Sequence, residues 1–326
     1  IYGVTIGPNG DVWAYHAPNL VRFDGRTWEV VARVGGLEVY DTQADVVVGP
    51  DGTAWVSGVA VGGALQGLAR VRGSNVESVS PFETSGAIRS LAAAPDGVLW
   101  VAAGGAGVAR FADGEWQTWE LGTDLPGRLV GGIAITDDGT PWVLSGDIAT
   151  DDTAQAFASR FDGDAWELVH TATDPGLDEA VLLAGRIQTR WPVVAAGGDI
   201  WSTVGTGLFG WVDGELVPAR FLGSSLVGNR VLSVDIAADG TVWVGTDRAI
   251  NRYDGAEWVA FPHGQGGTGE IAAVTGTEAW VVIVRQEPFF SQLTHVVGDD
   301  IEINPDAAEE ILGYTAVNDV YIGVDG

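Results

Sequence analysis

The sequence predicts an all-β chain folded as a β-propeller of four-stranded antiparallel blades. Three observations carry this expectation. A tryptophan recurs at Trp13, Trp55, Trp100, Trp142, Trp201, Trp243 and Trp280, with Tyr321 in the same role, at intervals of 42, 45, 42, 59, 42, 37 and 41 residues. A tight-turn pair stands before most of these aromatics and a second one follows. The residues between them divide into four short β-rich runs, and a period near 40 with four strands is how radially stacked sheets read in sequence. One such sheet cannot cover both its faces. Stacking covers them, and ring closure removes exposed ends.

The unit is clearest at Ala238–Phe261. Asp239-Gly240 is a hairpin turn, because the positive φ of primed turns costs Gly nothing and Asp little. Thr241–Gly245 is an apolar, β-branched strand around Trp243, and Ala249–Tyr253 is the next strand. Asp254-Gly255 turns the chain into Glu257–Phe261. Other first turns are Asn9-Gly10, Asp51-Gly52, Asp96-Gly97, Asp138-Gly139 and Gly197-Gly198, with Gly276-Thr277 a weaker version. Other second turns are Asp24-Gly25, Arg72-Gly73, Asp113-Gly114, Asp162-Gly163 and Asp213-Gly214, with Gly298-Asp299 looser. A strand precedes each first turn, as in Asp45–Val48, Ile133–Thr136 and Leu232–Ile236. Such innermost strands are small and apolar, which Leu91–Ala94 and Val193–Ala196 fit. The tryptophans, with Trp28, Trp116, Trp166 and Trp258 on the fourth strands, are expected to wedge neighbouring blades apart.

Seven units are complete. Ile311–Val317 and Asp319–Val324 then read as the first two strands of another. Eight blades are therefore favoured, the last incomplete or completed by strands outside this sequence; seven with a C-terminal addition is the alternative. No linker divides the chain, so residues 1–326 are expected to form one domain.

Asp239-Gly-Thr-Val-Trp-Val-Gly-Thr246 followed by Arg252-Tyr-Asp-Gly-Ala-Glu-Trp258 resembles the two-component-regulator propeller repeat. The likeness runs through Asn9–Trp28, Asp96–Trp116 and Asp138–Trp166 and fades after Gly276. It implies a propeller of the kind found in extracytoplasmic sensor regions of bacterial hybrid histidine kinases and in other surface proteins. The residues that carry it are architectural, so it transfers no site. The general repeat is also similar to that of propeller lyases acting on streptogramin-type antibiotics, but no matching histidine pattern is present.

Composition narrows the function. The net charge is −28, which argues against nucleic acid or an anionic membrane as partner, since both need clustered positive charge. At 46% hydrophobic with 14 Trp the chain can bury a large core. There is no Cys, hence no thiol chemistry, and no Lys: all 16 basic residues are Arg. With no Met and Ile1 first, the sequence reads as a processed form, an excised domain or a partial chain. No stretch approaches the length of a membrane-spanning helix.

The meander places long connections on one face. Those between second and third strands are Gly58–Gln66, Asp147–Gln155 and Arg285–Gln292. Those between blades are Ala32–Thr42 and Thr171–Thr189, the latter with a short helix at Leu177–Arg186. Binding residues concentrate on such connections. Arg89, Arg128, Arg190 and Arg230 fall where they would ring the channel mouth on that face, with Trp191 beside Arg190. Together they suit an anionic or carboxylated ligand; the alternative is that each pairs with a nearby carboxylate. Asp147, Asp151 and Asp152 are the candidate calcium ligands, though without the spacing of a dedicated calcium loop; no other cofactor is expected. His16, His170, His263 and His295 have no metal-pair spacing, and no catalytic motif appears. The favoured expectation is an extracytoplasmic, non-catalytic binding, sensory or scaffold module, meeting a protein or small anionic ligand. A lyase or hydrolase of a polysaccharide or cyclic peptide, and a subunit of a larger surface assembly, are the alternatives.

Overall fold

The structure, a computed structural model, describes residues 2–35, 37–38, 44–60, 66–82, 88–136, 138–148, 154–174, 193–196, 199–204, 207–212, 215–218, 226–228, 231–254, 257–263, 266–286 and 289–303. The first blade is β1 (Gly3–Ile6), β2 (Val12–His16), β3 (Asn19–Phe23) and β4 (Trp28–Arg33). A five-stranded sheet follows: β5 (Leu37–Glu38), β6 (Val46–Val48), β7 (Ala54–Ala60), β8 (Gln66–Arg72) and β9 (Asn75–Val79). The next blade is β10 (Ile88–Ala93), β11 (Leu99–Ala103), β12 (Gly107–Ala112) and β13 (Glu115–Trp119). Then come β14 (Leu129–Ile135), β15 (Pro141–Ile148), β16 (Ala154–Phe161) and β17 (Trp166–Asp174). After them stand β18 (Val193–Ala196), β19 (Asp199–Val204), β20 (Gly207–Val212) and β21 (Glu215–Pro218). The last two blades are β22 (Val231–Ile236), β23 (Val242–Thr246), β24 (Ala249–Tyr253) and β25 (Trp258–Pro262), and β26 (Gly267–Thr275), β27 (Glu278–Gln286), β28 (Phe289–Val297) and β29 (Asp300–Ile303).

The all-β propeller architecture holds, but the blade count is corrected. Among the described residues six sheets are four-stranded blades, where eight, or alternatively seven, were expected. The second repeat breaks the pattern because its innermost strand is in two pieces. β6 pairs with the start of β7, from Val48↔Ala54 to Val46↔Val56, and β5 with its end, Leu37↔Ala60 and Glu38↔Val59. At the other end of the count, β26 packs directly against β1. Val4, Val12, Ala14 and Val21 share one buried cluster with Ala272, Trp280, Val282 and Leu293, so the ring closes there with no gap for an eighth blade. Ile311–Val317, Asp319–Val324, Tyr321 and Leu177–Arg186 lie outside the described residues.

The long connections are also corrected in part. Gly58–Ala60, Asp147–Ile148, Arg285–Gln286, Phe289–Gln292 and Thr171–Asp174 are strand, because pairing continues in register past the body of each blade. The short turns form where read, but it is the glycine that takes positive φ in them; among the described non-glycine residues Asp113 alone does. Gly240 has φ +86°, and Asp239 Oδ1 accepts from Thr241 N at 3.0 Å. Asp51, Asp96 and Asp138 accept in the same way from Thr53, Val98 and Thr140. This local bond is why Asp leads these turns.

The tryptophans do lie between blades. Trp13, Trp55, Trp100, Trp243 and Trp280 are buried. The fourth-strand tryptophans meet them across the gap: Trp28 with Trp280 at 5.7 Å, Trp116 with Trp55 at 6.3 Å, Trp166 with Trp100 at 5.6 Å, each near edge-to-face. That geometry suits the ring quadrupole.

Candidate ligand-binding channel

The inner strands β1, β6, β10, β14, β18, β22 and β26 stand side by side around a central channel. A cavity of about 320 Å³ opens along it, lined by residues of β1, β10, β22 and β26 with Asp45 and Ile133 among others. An innermost strand has one edge with no further strand to bond, so its backbone groups need other partners. The carboxylates supply some. Asp45 Oδ2 accepts from Leu91 N at 2.7 Å, Asp235 Oδ2 from Ala273 N at 2.8 Å, and Glu270 Oε2 from Val4 N at 2.7 Å. Each bond joins one inner strand to the next around the ring; the Glu270–Val4 bond spans the closure. Ser90 Oγ donates to the Ile133 carbonyl oxygen at 3.3 Å and joins another pair.

The register explains this layering. The inner-strand residues facing the repeat tryptophans are Thr5, Val47, Ala92, Ala134, Val194, Asp235 and Ala272. Asp235 is the charged member of that level. Burial pushes its carboxyl up to about 6, against the pull of the hydrogen bonds from Ala273 N and Ile236 N. Two residues earlier on their strands stand Asp45, Ser90, Ser233 and Glu270.

Just before that level, four inner strands carry a β-bulge. The pairing steps from Ile88 to Ser90, Val130 to Gly132, Val231 to Ser233 and Thr268 to Glu270. The extra residues are Arg89, Gly131, Leu232 and Gly269. Bulges re-aim side chains at the rims of barrels and beside functional sites. Arg89, Leu232 and Gly269 line the cavity from these bulges, and Arg89 is the charged one.

The other expected site residues fare differently. Arg128 is 77% exposed beside β14, and its Nε lies 3.3 Å from Asp147 Oδ1 at the end of β15. It pairs with a carboxylate instead of lining the cavity. Arg190, Trp191, Arg230, Asp151 and Asp152 lie outside the described residues. Among the described residues no three His, Asp or Glu side chains form a group able to hold a metal ion. The histidines do not converge. His16 stacks on Tyr2 at 5.9 Å, and burial lowers it to about 4. His263 Nε2 is 3.1 Å from Thr268 Oγ1. His295 stacks on Trp280 at 4.1 Å, with Glu278 2.9 Å from its Nε2.

A second repeating feature was not foreseen. The second-strand tryptophan faces a third-strand arginine in the pairs Trp13↔Arg22, Trp55↔Arg70, Trp100↔Arg110, Trp142↔Arg160 and Trp243↔Arg252. Each guanidinium lies 5.3–5.9 Å from the indole centroid. His295 takes this place opposite Trp280. A fourth-strand glutamate completes the rung at Arg22–Glu29, 2.6 Å, and Arg160–Glu167, 2.8 Å. The signal was present in sequence: an arginine two residues before the second turn, as in Arg22-Phe-Asp-Gly, Arg160-Phe-Asp-Gly and Arg252-Tyr-Asp-Gly.

No family model and no curated protein matches this sequence. Solved structures do match in fold. A catalytically inactive virginiamycin B lyase from Staphylococcus aureus, crystallised with quinupristin, aligns with TM-score 0.61 at 16% identity, over 86% of this chain and 91% of that one. YCF48 bound to D1 peptide aligns at 0.55 and 14% identity, over 92% and 93%. The extracellular domain of a putative hybrid two-component system from B. thetaiotaomicron aligns at 0.40 and 12%, over 94% of this chain and 48% of that one. The likeness to the first two shows a β-propeller fold; the finer repeat family is not matched. Among the described residues no helix is long and apolar enough to cross a membrane.

Proposed function

We propose that this protein is a non-catalytic binding module working outside the cytoplasm. Its ligand carries a negatively charged group and enters the channel mouth on the face of the long connections. The observation that carries the reading is the row of bulges, which brings Arg89 to the cavity wall. The nearby carboxylates Asp45, Asp235 and Glu270 meanwhile accept backbone hydrogen bonds between blades. On this reading they serve the ring. The fold is compatible with ligand binding: similar propellers include a lyase crystallised with quinupristin and YCF48 bound to a peptide. On this reading Arg190, Trp191 and Arg230 add to the same mouth.

The test is a ligand screen read by thermal shift, using carboxylated and sulfated saccharides and acidic peptides beside neutral counterparts. An anionic ligand whose affinity falls about tenfold or more in Arg89→Ala is expected, the loss of one charge-assisted hydrogen-bonded contact. Ligands that bind equally to Arg89→Ala, or turnover of any of these compounds, would overturn the reading.

A further inference from the structure

We propose that a second site, on the opposite, short-turn face, binds a small carboxylate. It is the cleft between the five-stranded sheet and the β10–β13 blade, a cavity of about 510 Å³. Thr53, Trp55, Arg70 and Arg72 line it from one side and Leu99 and Phe111 from the other. Arg110, next to Phe111, also lines the cleft, and its guanidinium lies 5.9 Å from the Trp100 centroid.

The Arg70 guanidinium lies over two rings at once. Its centre is 5.3 Å from the Trp55 centroid and 5.0 Å from that of Phe111, across the gap. The two ring contacts hold the guanidinium between the blades at this point. Its N–H fork is poorly satisfied. The rung glutamate, Glu77, lies 3.9 Å away and is 63% exposed, whereas Arg22 and Arg160 hold theirs at hydrogen-bond distance. The buried Arg70 Nε, like that of Arg22, has no acceptor among the described residues, so it is the distant glutamate that sets Arg70 apart. A planar carboxylate matches a guanidinium fork bidentately.

Arg72 marks the same place independently. Two residues after the rung arginine, other repeats carry the turn aspartate: Asp24, Asp162 and Asp254. Those carboxylates accept backbone hydrogen bonds and close their turns. Here the sequence gives up that turn acceptor and places a second guanidinium on the same side of β8 as Arg70. Arg72 donates from Nε to Thr53 Oγ1 at 3.1 Å and keeps Asp51 3.9 Å from its far nitrogen. In a chain of charge −28, Arg70 and Arg72 over an aromatic floor, with Arg110, offset the three aspartates of the cleft and leave its lining near charge balance. Asp51, Asp96 and Asp113 also line the cleft, which disfavours phosphate or sulfate dianions and favours a single carboxylate.

The test is calorimetric titration with glucuronate and benzoate, with glucose and sulfate as controls. The starting protein carries Arg89→Ala, so that channel occupancy does not contribute and the two proposals stay separable. Both carboxylates are expected to bind and glucose not. Affinity should fall about tenfold or more with Arg70→Gln and with Arg72→Asp, and stay unchanged with Arg160→Gln, the same rung in the β14–β17 blade. Arg72→Asp restores the usual turn residue, so its loss of binding at unchanged melting temperature supports the site even if Arg70→Gln folds poorly. Absence of carboxylate binding at concentrations that saturate a millimolar site, or binding that survives Arg72→Asp, overturns the proposal. Sulfate binding with the same sensitivity to the variants overturns the assignment to carboxylates.

Discussion

Asp235→Asn should remove one component of the pH dependence of stability between about pH 4 and pH 7. The opposite component from His16, lowered to about 4 by burial, is common to both proteins and cancels in their difference. Burial beside the channel raises the Asp235 carboxyl from 3.8 to about 6 in the folded protein, whereas in the unfolded chain it returns to about 3.9. The folded state therefore holds this proton more tightly. Its contribution to stability is complete below the unfolded value and is lost as pH rises through about 6. At about 1.4 kcal/mol per tenfold difference in proton affinity, the span from 3.8 to about 6 corresponds to about 3 kcal/mol. Asn keeps the shape and one acceptor oxygen for Ala273 N, and it has no proton to lose. Urea unfolding of both proteins at about pH 4.5 and about pH 7.5 gives the double difference. Native stability should fall relative to the variant by about 2–3 kcal/mol on going to the higher pH. The turn aspartates do not blur this window. Asp24, Asp162 and Asp239 are held low chiefly by backbone N–H donors and Asp138 chiefly by the Thr136 hydroxyl. Their stabilising share is present above the unfolded value and lost only as pH falls further, through their lower folded values. Equal pH profiles for the two proteins would refute the reasoning, and so would a native protein that gains on the variant as pH rises.

Two further outcomes test the packing and the closure. Trp243→Ala should cost about 3–5 kcal/mol in chemical denaturation, because the ring is fully buried and its Nε1 donates to the Thr275 carbonyl of the next blade at 3.1 Å. Arg160→Ala, in a largely exposed pair, should cost under about 1 kcal/mol; similar losses in both would show that burial does not set the scale. Glu270→Ala strips the acceptor from Val4 N. It should destabilise by about 1–3 kcal/mol and speed amide hydrogen exchange at Val4, with Glu270→Gln restoring most of the protection. Unchanged exchange at Val4 would show that the closure does not depend on this contact.

Much of the fold was legible because it rests on local chemistry. Ala249–Tyr253 and Val193–Ala196 coincide with β24 and β18, and the Asp-Gly turns form where an aspartate can bond the backbone two residues on. The blade count failed at the second repeat, where nothing in Ala32–Thr42 signals that Leu37–Glu38 pairs with the far end of β7. That pairing is tertiary and leaves no periodic trace in so short a segment. Of the site, Arg89 was legible as an arginine near the start of an inner strand. Its bulge was not, because an extra residue is defined only by the register of its partner strand. The uses of Asp45, Asp235 and Glu270 as acceptors for the neighbouring blade were equally hidden, since their donors lie 46, 38 and 266 residues away. The Arg70–Arg72 cleft had a written signal, arginine where other repeats have aspartate, but its aromatic floor comes partly from the next blade.

The junction where β26 meets β1 differs from every other junction in connectivity. Across the Asp235–Ala273 and Asp45–Leu91 contacts the intervening chain is 38 and 46 residues long; across Glu270–Val4 it is 266. Loop-closing entropy grows with the logarithm of that length, which makes the terminal junction about 2 kcal/mol dearer to form than its neighbours for similar contacts. It belongs at the end of assembly, since contacts of long separation are slow to establish. It is equally the natural point of breathing, where the circle can part while every sheet stays whole.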